Sequence, residues 1–273
     1  MVEVLVHFVA PALVGVLIGI ASGLLGIGGG TVMVPIFRLA FGMSATMSTA
    51  TSLFAIIPTS ISGAISHVKG KTCIPALGIA AGLGGACMSP IGVWLAQLSP
   101  DWLVMLAAAL IIGYSAINMF KKAFKLRPAC QPAAGADAAA PTADDSSLSR
   151  KQLLQGAAIG LVAGLASGYV GVGGGFIMVP LMLSIIGIPM RKASGTSLIA
   201  VMILAIPGVI EQGIIGNINY LAGIAIVIGT IPGAVIGARL VTKVPERTLR
   251  LLFGCFLIVA AVMLVLNEVG IFG

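Results

Sequence analysis

The chain has 273 residues, of which 59% are hydrophobic and 8% are charged, whereas about a quarter of an ordinary soluble domain is charged. This composition excludes a soluble fold and predicts an all-α integral membrane protein. Fifteen Lys and Arg against eight Asp and Glu give a net charge of +7. In a membrane protein we interpret this excess as a signal of orientation, and we expect no nucleic-acid partner.

Ten apolar segments follow one another along the chain. The first half has segments at 4–25, 31–42, 46–66, 73–98 and 102–120, and the second has them at 153–170, 176–187, 193–210, 220–242 and 248–266. A helix of 12 residues rises only about 18 Å, whereas the hydrocarbon core is about 30 Å thick. The second segment of each half is therefore predicted to be a half-helix or the return arm of a re-entrant hairpin.

The two halves carry the same motif. Residues 22–35 read SGLLGIGGGTVMVP, and residues 167–180, displaced by 145 positions, read SGYVGVGGGFIMVP. At this offset, 19 of the 49 positions from Gly15 to Gly63 are identical. The sequence therefore indicates an internal duplication.

The basic residues predict how the repeats are oriented. Fourteen of the fifteen lie in four places: Lys69 and Lys71; Lys121, Lys122, Lys125, Arg127, Arg150 and Lys151; Arg191 and Lys192; and Arg239, Lys243, Arg247 and Arg250. Under the positive-inside rule these places are cytoplasmic, so the halves have inverted topology and both termini are periplasmic. We predict a first membrane repeat at 1–125, a flexible cytoplasmic linker at 126–150 and a second, inverted repeat at 151–273. Together the repeats form one transport domain.

A glycine-rich break precedes each short segment. Consecutive glycines interrupt a helix and turn backbone N–H groups towards a cavity, where the next helix offers unpaired donors to an anion. We therefore predict a substrate-binding site near the midplane, formed by Gly28, Gly29, Gly30, Thr31, Gly173, Gly174 and Gly175. The alternative is that these glycines only permit tight turns and close packing. For the glycines spaced by four in 15–23 and 156–168, helix packing is the favoured interpretation.

Hydroxyl side chains crowd the third segments. Thr51 and Ser52 recur as Thr196 and Ser197, so both pairs are predicted to donate to the anion, with back-bonding to their own helices as the alternative. Arg38 has two interpretations, attraction of an anion at the outer mouth and snorkelling to the interface. His67 is expected to be solvated beside Lys69.

The sequence has few residues that could form a proton relay, a catalytic site or a metal site. No Asp or Glu lies deep in a predicted span, which disfavours a proton relay made by the protein. Two histidines and four scattered cysteines supply neither a catalytic constellation nor a metal site, so we predict no enzyme activity, no cofactor and no metal.

The duplicated glycine motif, followed in each half by TSL at 51–53 and 196–198, resembles the sulfite exporter TauE/SafE family of membrane proteins. The resemblance covers nearly the whole chain outside the linker. It implies a multi-pass permease of the bacterial inner membrane that exports sulfite, thiosulfate or an organosulfonate. The alternatives are an importer or a channel for another small anion, or a non-transporting scaffold. Besides the small anion, the expected partner is the lipid bilayer, and the sequence leaves the oligomeric state open.

Overall fold

The computed structural model describes residues 10–125 and 149–268, and every regular element in these ranges is helical. The first half contains α1 (Ala10–Leu25), α2 (Gly30–Phe41), α3 (Ala45–Lys69), α4 (Pro75–Leu98) and α5 (Asp101–Lys125). The second contains α6 (Arg150–Val170), α7 (Gly175–Leu181) with a π-helical turn at Met182–Ile186, α8 (Met190–Ile215), α9 (Tyr220–Leu240) and α10 (Glu246–Glu268). Seven of these helices, α3 to α6 and α8 to α10, are long and apolar enough to cross a membrane. The protein is an all-α integral membrane protein.

The duplication predicted from the sequence is present in the backbone. Shifting α2, α3 and α4 by 145 positions places their first residues on those of α7, α8 and α9. The glycines with positive φ match in the same way: Gly26, Gly28, Gly29 and Gly42 correspond to Gly171, Gly173, Gly174 and Gly187. The short second segments are confirmed as short helices, and both begin directly after a glycine.

Polar caps set the helix starts in both halves. The Asp101 carboxylate accepts from the backbone N–H of Ala45 at 3.3 Å. Its counterpart Glu246 accepts from the N–H of Met190 at 3.4 Å. An acidic residue at the start of α5 or α10 thus satisfies an orphan donor of α3 or α8, where the helix dipole favours negative charge.

Contacts between the halves occur in exchanged pairs. Helix α4 packs along α6 and α9 packs along α1, while α8 contacts α4 and α3 contacts α9. Two further contacts, α3 with α8 and α5 with α10, join corresponding helices. A two-fold relation between the repeats produces this exchange. Whether the axis lies in the membrane plane, as inverted topology requires, stays a prediction.

Small residues determine how closely the exchanged helices approach. A Cβ on Gly160 of α6 would lie 1.9 Å from the carbonyl oxygen of Ala81 in α4. A Cβ on Gly19 of α1 would lie 2.4 Å from the carbonyl oxygen of Thr230 in α9. The packing interpretation of the four-residue glycine spacing is therefore confirmed.

Several predicted boundaries need adjustment. Helix α3 extends to Lys69 and α8 extends from Met190 to Ile215, so both are longer than the predicted segments 46–66 and 193–210. The predicted linker ends at 150, but Ser149 already caps α6, with Gln152 completing a capping box. The rest of the linker, 126–148, and the terminal segments 1–9 and 269–273 lie outside the described residues.

Candidate functional site

Two glycine loops, Gly26–Gly29 and Gly171–Gly174, meet inside the helix bundle. In the first, φ is +80° at Gly28 and +85° at Gly29, a left-handed conformation that favours glycine. Both loops are buried. A Cβ on Gly30 would lie 2.5 Å from the carbonyl oxygen of Val172, and one on Gly175 would lie 2.5 Å from that of Gly26. Backbone of one repeat therefore touches backbone of the other.

The loops meet at the middle of two long helices, α3 and α8. Ile56 lies near the centre of α3, and Val201, its counterpart, lies near the centre of α8. The Val201 side chain is 2.9 Å and the Ile56 side chain 3.3 Å from the Cβ position of Gly28, while Ile56 is 2.8 Å from that of Gly173. Both side chains are fully buried. The loops thus pass the midpoint of the spanning helices, and Ile56 and Val201 fill the space between them.

Backbone donors in the first loop lack partners. No described residue accepts a hydrogen bond from the amides of 27–31, whereas the Gly26 amide bonds to the Ser22 carbonyl at 2.8 Å. Two of these amides belong to the first turn of α2, where the helix dipole is positive. Successive amides in a turn of this kind form an anion-binding concavity.

Buried hydroxyls near the loops also lack partners. The hydroxyls of Ser22, Thr31, Ser60 and Ser167 have no hydrogen bond within the described part of the chain. All four residues are fully buried. The Ser60 Oγ lies 3.4 Å from the Cβ position of Gly28, and the Ser22 Cβ lies 3.7 Å from that of Gly29. An unsatisfied buried hydroxyl costs about 1–3 kcal/mol, so these four groups are free to donate to a polar group that enters the space at the loops.

The predicted hydroxyl pairs have structural partners. Ser52 donates to the carbonyl oxygen of Gly171, and Ser197 donates to that of Gly26 at 2.7 Å. Each hydroxyl has one proton, which is therefore already engaged. Sequence reasoning placed these residues at the loops but did not identify this exchange between repeats. Their role as substrate ligands stays a prediction.

Thr51 and Thr196 tie the repeats together in a second way. Thr51 accepts from the backbone N–H of Asn219 at 3.0 Å, and Thr196 accepts from that of Ile74 at 2.9 Å. Asn219 and Ile74 are the N-cap residues of α9 and α4. The two threonines thus satisfy orphan donors at the starts of helices in the opposite repeat. Ligand binding by the threonines stays a prediction as well.

Arg38 lies in the last turn of α2, at the end remote from the first loop. Eight residues of helix separate it from Gly30, a rise of about 12 Å. Its predicted part in attracting anions therefore concerns the mouth of a pathway, away from the loops, and stays a prediction.

The expectation that His67 is solvated is wrong. The side chain is fully buried. Its Nε2 lies 2.8 Å from the carbonyl oxygen of Gly23, and its Nδ1 lies 2.7 Å from the Thr72 hydroxyl. The cause is that α3 continues to Lys69 with His67 on the face towards α1, while Lys69 lies on the exposed surface.

Sequence reasoning missed Ser22 and Ser167. The available signal was their place as first residue of the duplicated motif, kept in both halves. Ser60 has no such signal because its counterpart is Ala205.

Two cavities of about 840 Å³ each are lined by residues outside the glycine loops. One is lined mainly by apolar residues of α4 to α7. The other lies between α3 and α9, with Lys69 and Arg239 among its lining residues. Neither contains a predicted site residue.

A sequence model of the family described as "Sulfite exporter TauE/SafE" matches residues 11–264. The chain belongs to this family. It is similar to the probable membrane transporter protein YunE of Bacillus subtilis, with 28% identity over 97% of this chain and 99% of that protein. It is also similar to a probable membrane transporter protein of Haemophilus influenzae, with 29% identity over 93% of this chain and 97% of that protein. No solved structure matches the chain.

Membership of the TauE/SafE family identifies the chain as a multi-pass membrane transporter, which implies a non-enzyme. The named relatives extend over almost the full chain, so the match includes both repeats and both glycine loops.

Proposed function

We propose that this transporter exports sulfite or a related sulfur anion or organosulfonate, bound near the midplane between the two glycine loops. The observation that carries the proposal is the unpartnered, fully buried Ser60 hydroxyl beside Gly28, next to a run of unpaired amides. The family description supplies the class of substrate.

The donor set suits an oxyanion. Sulfite and sulfonates present three oxygen atoms that accept hydrogen bonds, and loop 26–29 offers several N–H groups together with the hydroxyls of Thr31 and Ser60. None of these groups carries a formal charge. Because a buried cation would hold an anion strongly, neutral donors and a helix dipole favour binding that is specific yet reversible.

The scaffold supplies a way to change access. The repeats contact each other through exchanged pairs of helices, so a movement of one repeat against the other has a mirrored counterpart of similar energy. With inverted topology, these two states open to opposite sides of the membrane. In this proposal the membrane is the bacterial inner membrane, the termini are periplasmic and the linker is cytoplasmic.

Hydroxyl deletions test the site. In Ser60→Ala and Thr31→Val the anion loses one donor each, and no hydrogen bond of the folded protein is broken. A hydrogen bond to a charged group contributes about 1.5–3 kcal/mol, so we expect anion affinity to fall by roughly 10- to 150-fold. The matched control is Ser48→Ala, because Ser48 is also buried and unpartnered but lies twelve residues from Ser60 on the same helix.

The measurements are thermal stability and flux. Purified protein is titrated with sulfite, thiosulfate, sulfate, taurine and chloride at matched ionic strength, since ligand at 100 times Kd adds about 2.7 kcal/mol. Flux of the stabilising anion is then measured in proteoliposomes in both directions. Equal affinity in Ser60→Ala, Thr31→Val and Ser48→Ala would refute the midplane site. Inward-only flux would favour an importer, non-saturating flux a channel, and absence of binding and flux a scaffold.

A further inference from the structure

Among the residues that the structure describes, His67 is the one histidine, and its side chain is fully buried. It lies within α3, a membrane-spanning helix, two residues before the exposed Lys69. Ionisable side chains within membrane spans are costly to maintain and mark ion or proton pathways. Neither the glycine-loop site nor the two-fold packing accounts for a histidine here.

The position of His67 connects it to the proposed anion site. Ile56, Ser60, Gly63 and His67 are spaced at four, three and four residues, which places them on one face of α3. His67 is about 16 Å along the axis from the midplane residue Ile56 and about 10 Å from Ser60. Its ring also bonds to the carbonyl oxygen of Gly23, one turn before the first loop.

Both protonation states fit the hydrogen bonds. The Gly23 carbonyl only accepts, so Nε2 carries a hydrogen and donates to it. In the neutral ring, Nδ1 accepts from the Thr72 hydroxyl at 2.7 Å. When a proton from the inner water phase binds Nδ1, the ring donates to Thr72, whose hydroxyl hydrogen turns to the His67 carbonyl oxygen at 3.3 Å. One proton is gained, and no other group must ionise.

The surroundings link that proton to an anion. The ring is in contact with Gly23 of α1, Thr72 of the α3–α4 loop and Gly195 of α8, all uncharged. Charged residues at this end of the packed elements are basic: Lys69 on α3, Lys71 on the loop, Arg191 and Lys192 on α8, and Arg239 on α9. The described carboxylate at this end, Glu246 on α10, pairs with Arg250. An anion in the bundle is therefore the available counter-charge for a protonated His67.

The second repeat has no histidine at the corresponding position. The counterpart of His67 is Gln212, which is also buried and accepts from Asn217, the counterpart of Thr72, at 2.9 Å. A glutamine amide keeps the hydrogen-bonding role but does not titrate. The histidine of the first repeat thus has a counterpart in the second repeat that does not titrate.

We propose that His67 is the proton-binding site that couples this carrier to protons, so that one proton binds and moves with each anion. This inference rests on the proposed function, because it concerns the coupling ion of the same transport cycle. At about 10 Å and an effective dielectric constant of about 20, the attraction corresponds to a roughly tenfold gain in anion affinity. By linkage, anion binding raises proton affinity by the same factor.

The test uses the full chain and thiosulfate, which keeps its charge throughout the neutral range. In detergent, we expect thiosulfate to bind more than tenfold more tightly to protonated protein than to neutral protein, because it carries two negative charges and the attraction doubles. In proteoliposomes with an internal pH dye, we expect proton movement together with thiosulfate. His67→Gln copies the residue of the second repeat and should retain binding and flux, with a flat pH profile and no proton movement. The control His7→Gln, at the other histidine of the chain, should behave as wild type.

The possible failures are distinct. If wild type binds and moves thiosulfate without protons, or if His67→Gln retains the pH dependence, the coupling site is refuted while the proposed function stands. If no anion of the panel binds at any pH, the proposed function fails and this inference fails with it. Should His67→Gln not fold, Thr72→Val replaces it: it removes the acceptor of the Nδ1 proton and should weaken the pH dependence.

Discussion

The close crossing of α4 and α6 predicts a large, position-specific effect of adding one methyl group. In Gly160→Ala the new Cβ would lie 1.9 Å from the Ala81 carbonyl oxygen, whereas ordinary contact begins near 3.4 Å. The conflict is with backbone, so the two helices must separate by more than about 1 Å. Overpacking costs about 1–3 kcal/mol even where side chains can adjust, and we expect about 3 kcal/mol or more here. Gly113→Ala in α5 is the matched control, because no atom lies within 4 Å of its Cβ position.

The assay is thermal unfolding of both variants in the same detergent. Each kcal/mol changes Tm by about 2–4 °C in a protein of about this size, so Gly160→Ala should melt about 6–12 °C below wild type. Gly113→Ala should melt at or above wild type, since alanine is favoured over glycine in a helix by about 0.5–1 kcal/mol. Gly19→Ala, at the equivalent crossing of α1 and α9, should resemble Gly160→Ala. Equal Tm values for Gly160→Ala and Gly113→Ala would refute the close approach of α4 and α6.

Two further predictions concern the loops. Ser52→Ala and Ser197→Ala each remove one of the exchanged hydrogen bonds between repeats. Each variant should have a free energy of unfolding about 1 kcal/mol lower than that of wild type. Chemical denaturation measures this difference, and an unchanged free energy of unfolding in either variant would contradict the prediction. Gly29→Leu places a side chain at a residue with φ of +85°, and its Cβ would lie within 3.1 Å of Met33 and Ile18. Transport should therefore be abolished, while the far-ultraviolet circular dichroism spectrum should remain helical. Full flux in Gly29→Leu would exclude the first loop from the pathway.

The helical segments were predictable because each rests on a local signal. Apolar runs about 20 residues long imply spanning helices, and consecutive glycines imply a break. The fixed offset of 145 positions then let each half check the other. The extra turns of α3 and α8 were missed because their ends contain the charged residues Lys69, Arg191, Lys192 and Glu211, which do not end the helix.

The partners of the hydroxyls were not predictable. Ser52 bonds to a residue 119 positions away, and Ser197 to one 171 positions away. Hydroxyl-rich segments look alike whether their protons are engaged or available, and the duplication favoured the two shared pairs over Ser60. Only the packing of the repeats shows the difference between the two serines. The Ser52 hydroxyl donates a hydrogen bond across the repeats, whereas the Ser60 hydroxyl has no partner among the described residues.

The burial of His67 was predictable from the helical spacing of α3. Its proximity to Lys69 in sequence suggested solvent, but helical spacing places it on the face of Ile56 and Ser60. Periodicity carried over from the middle of α3 was the better guide, because a buried face continues to the end of a helix as long as a neighbour packs against it. Here α1 supplies that neighbour through the Gly23 carbonyl.

Three buried departures from two-fold symmetry place a hydroxyl or a histidine in the first repeat alone. Thr31, Ser60 and His67 correspond to Phe176, Ala205 and Gln212, and all six residues are buried. If the repeats were identical, the two states of an inverted carrier would have equal energy and equal affinity for the anion from either side. The hydroxyls of Thr31 and Ser60 and the ring of His67 have no equivalent in the second repeat, so they make those states unequal. With the proposed function, the symmetric backbone permits exchange between the two faces, and we predict that the three asymmetric positions determine which face binds the anion more tightly.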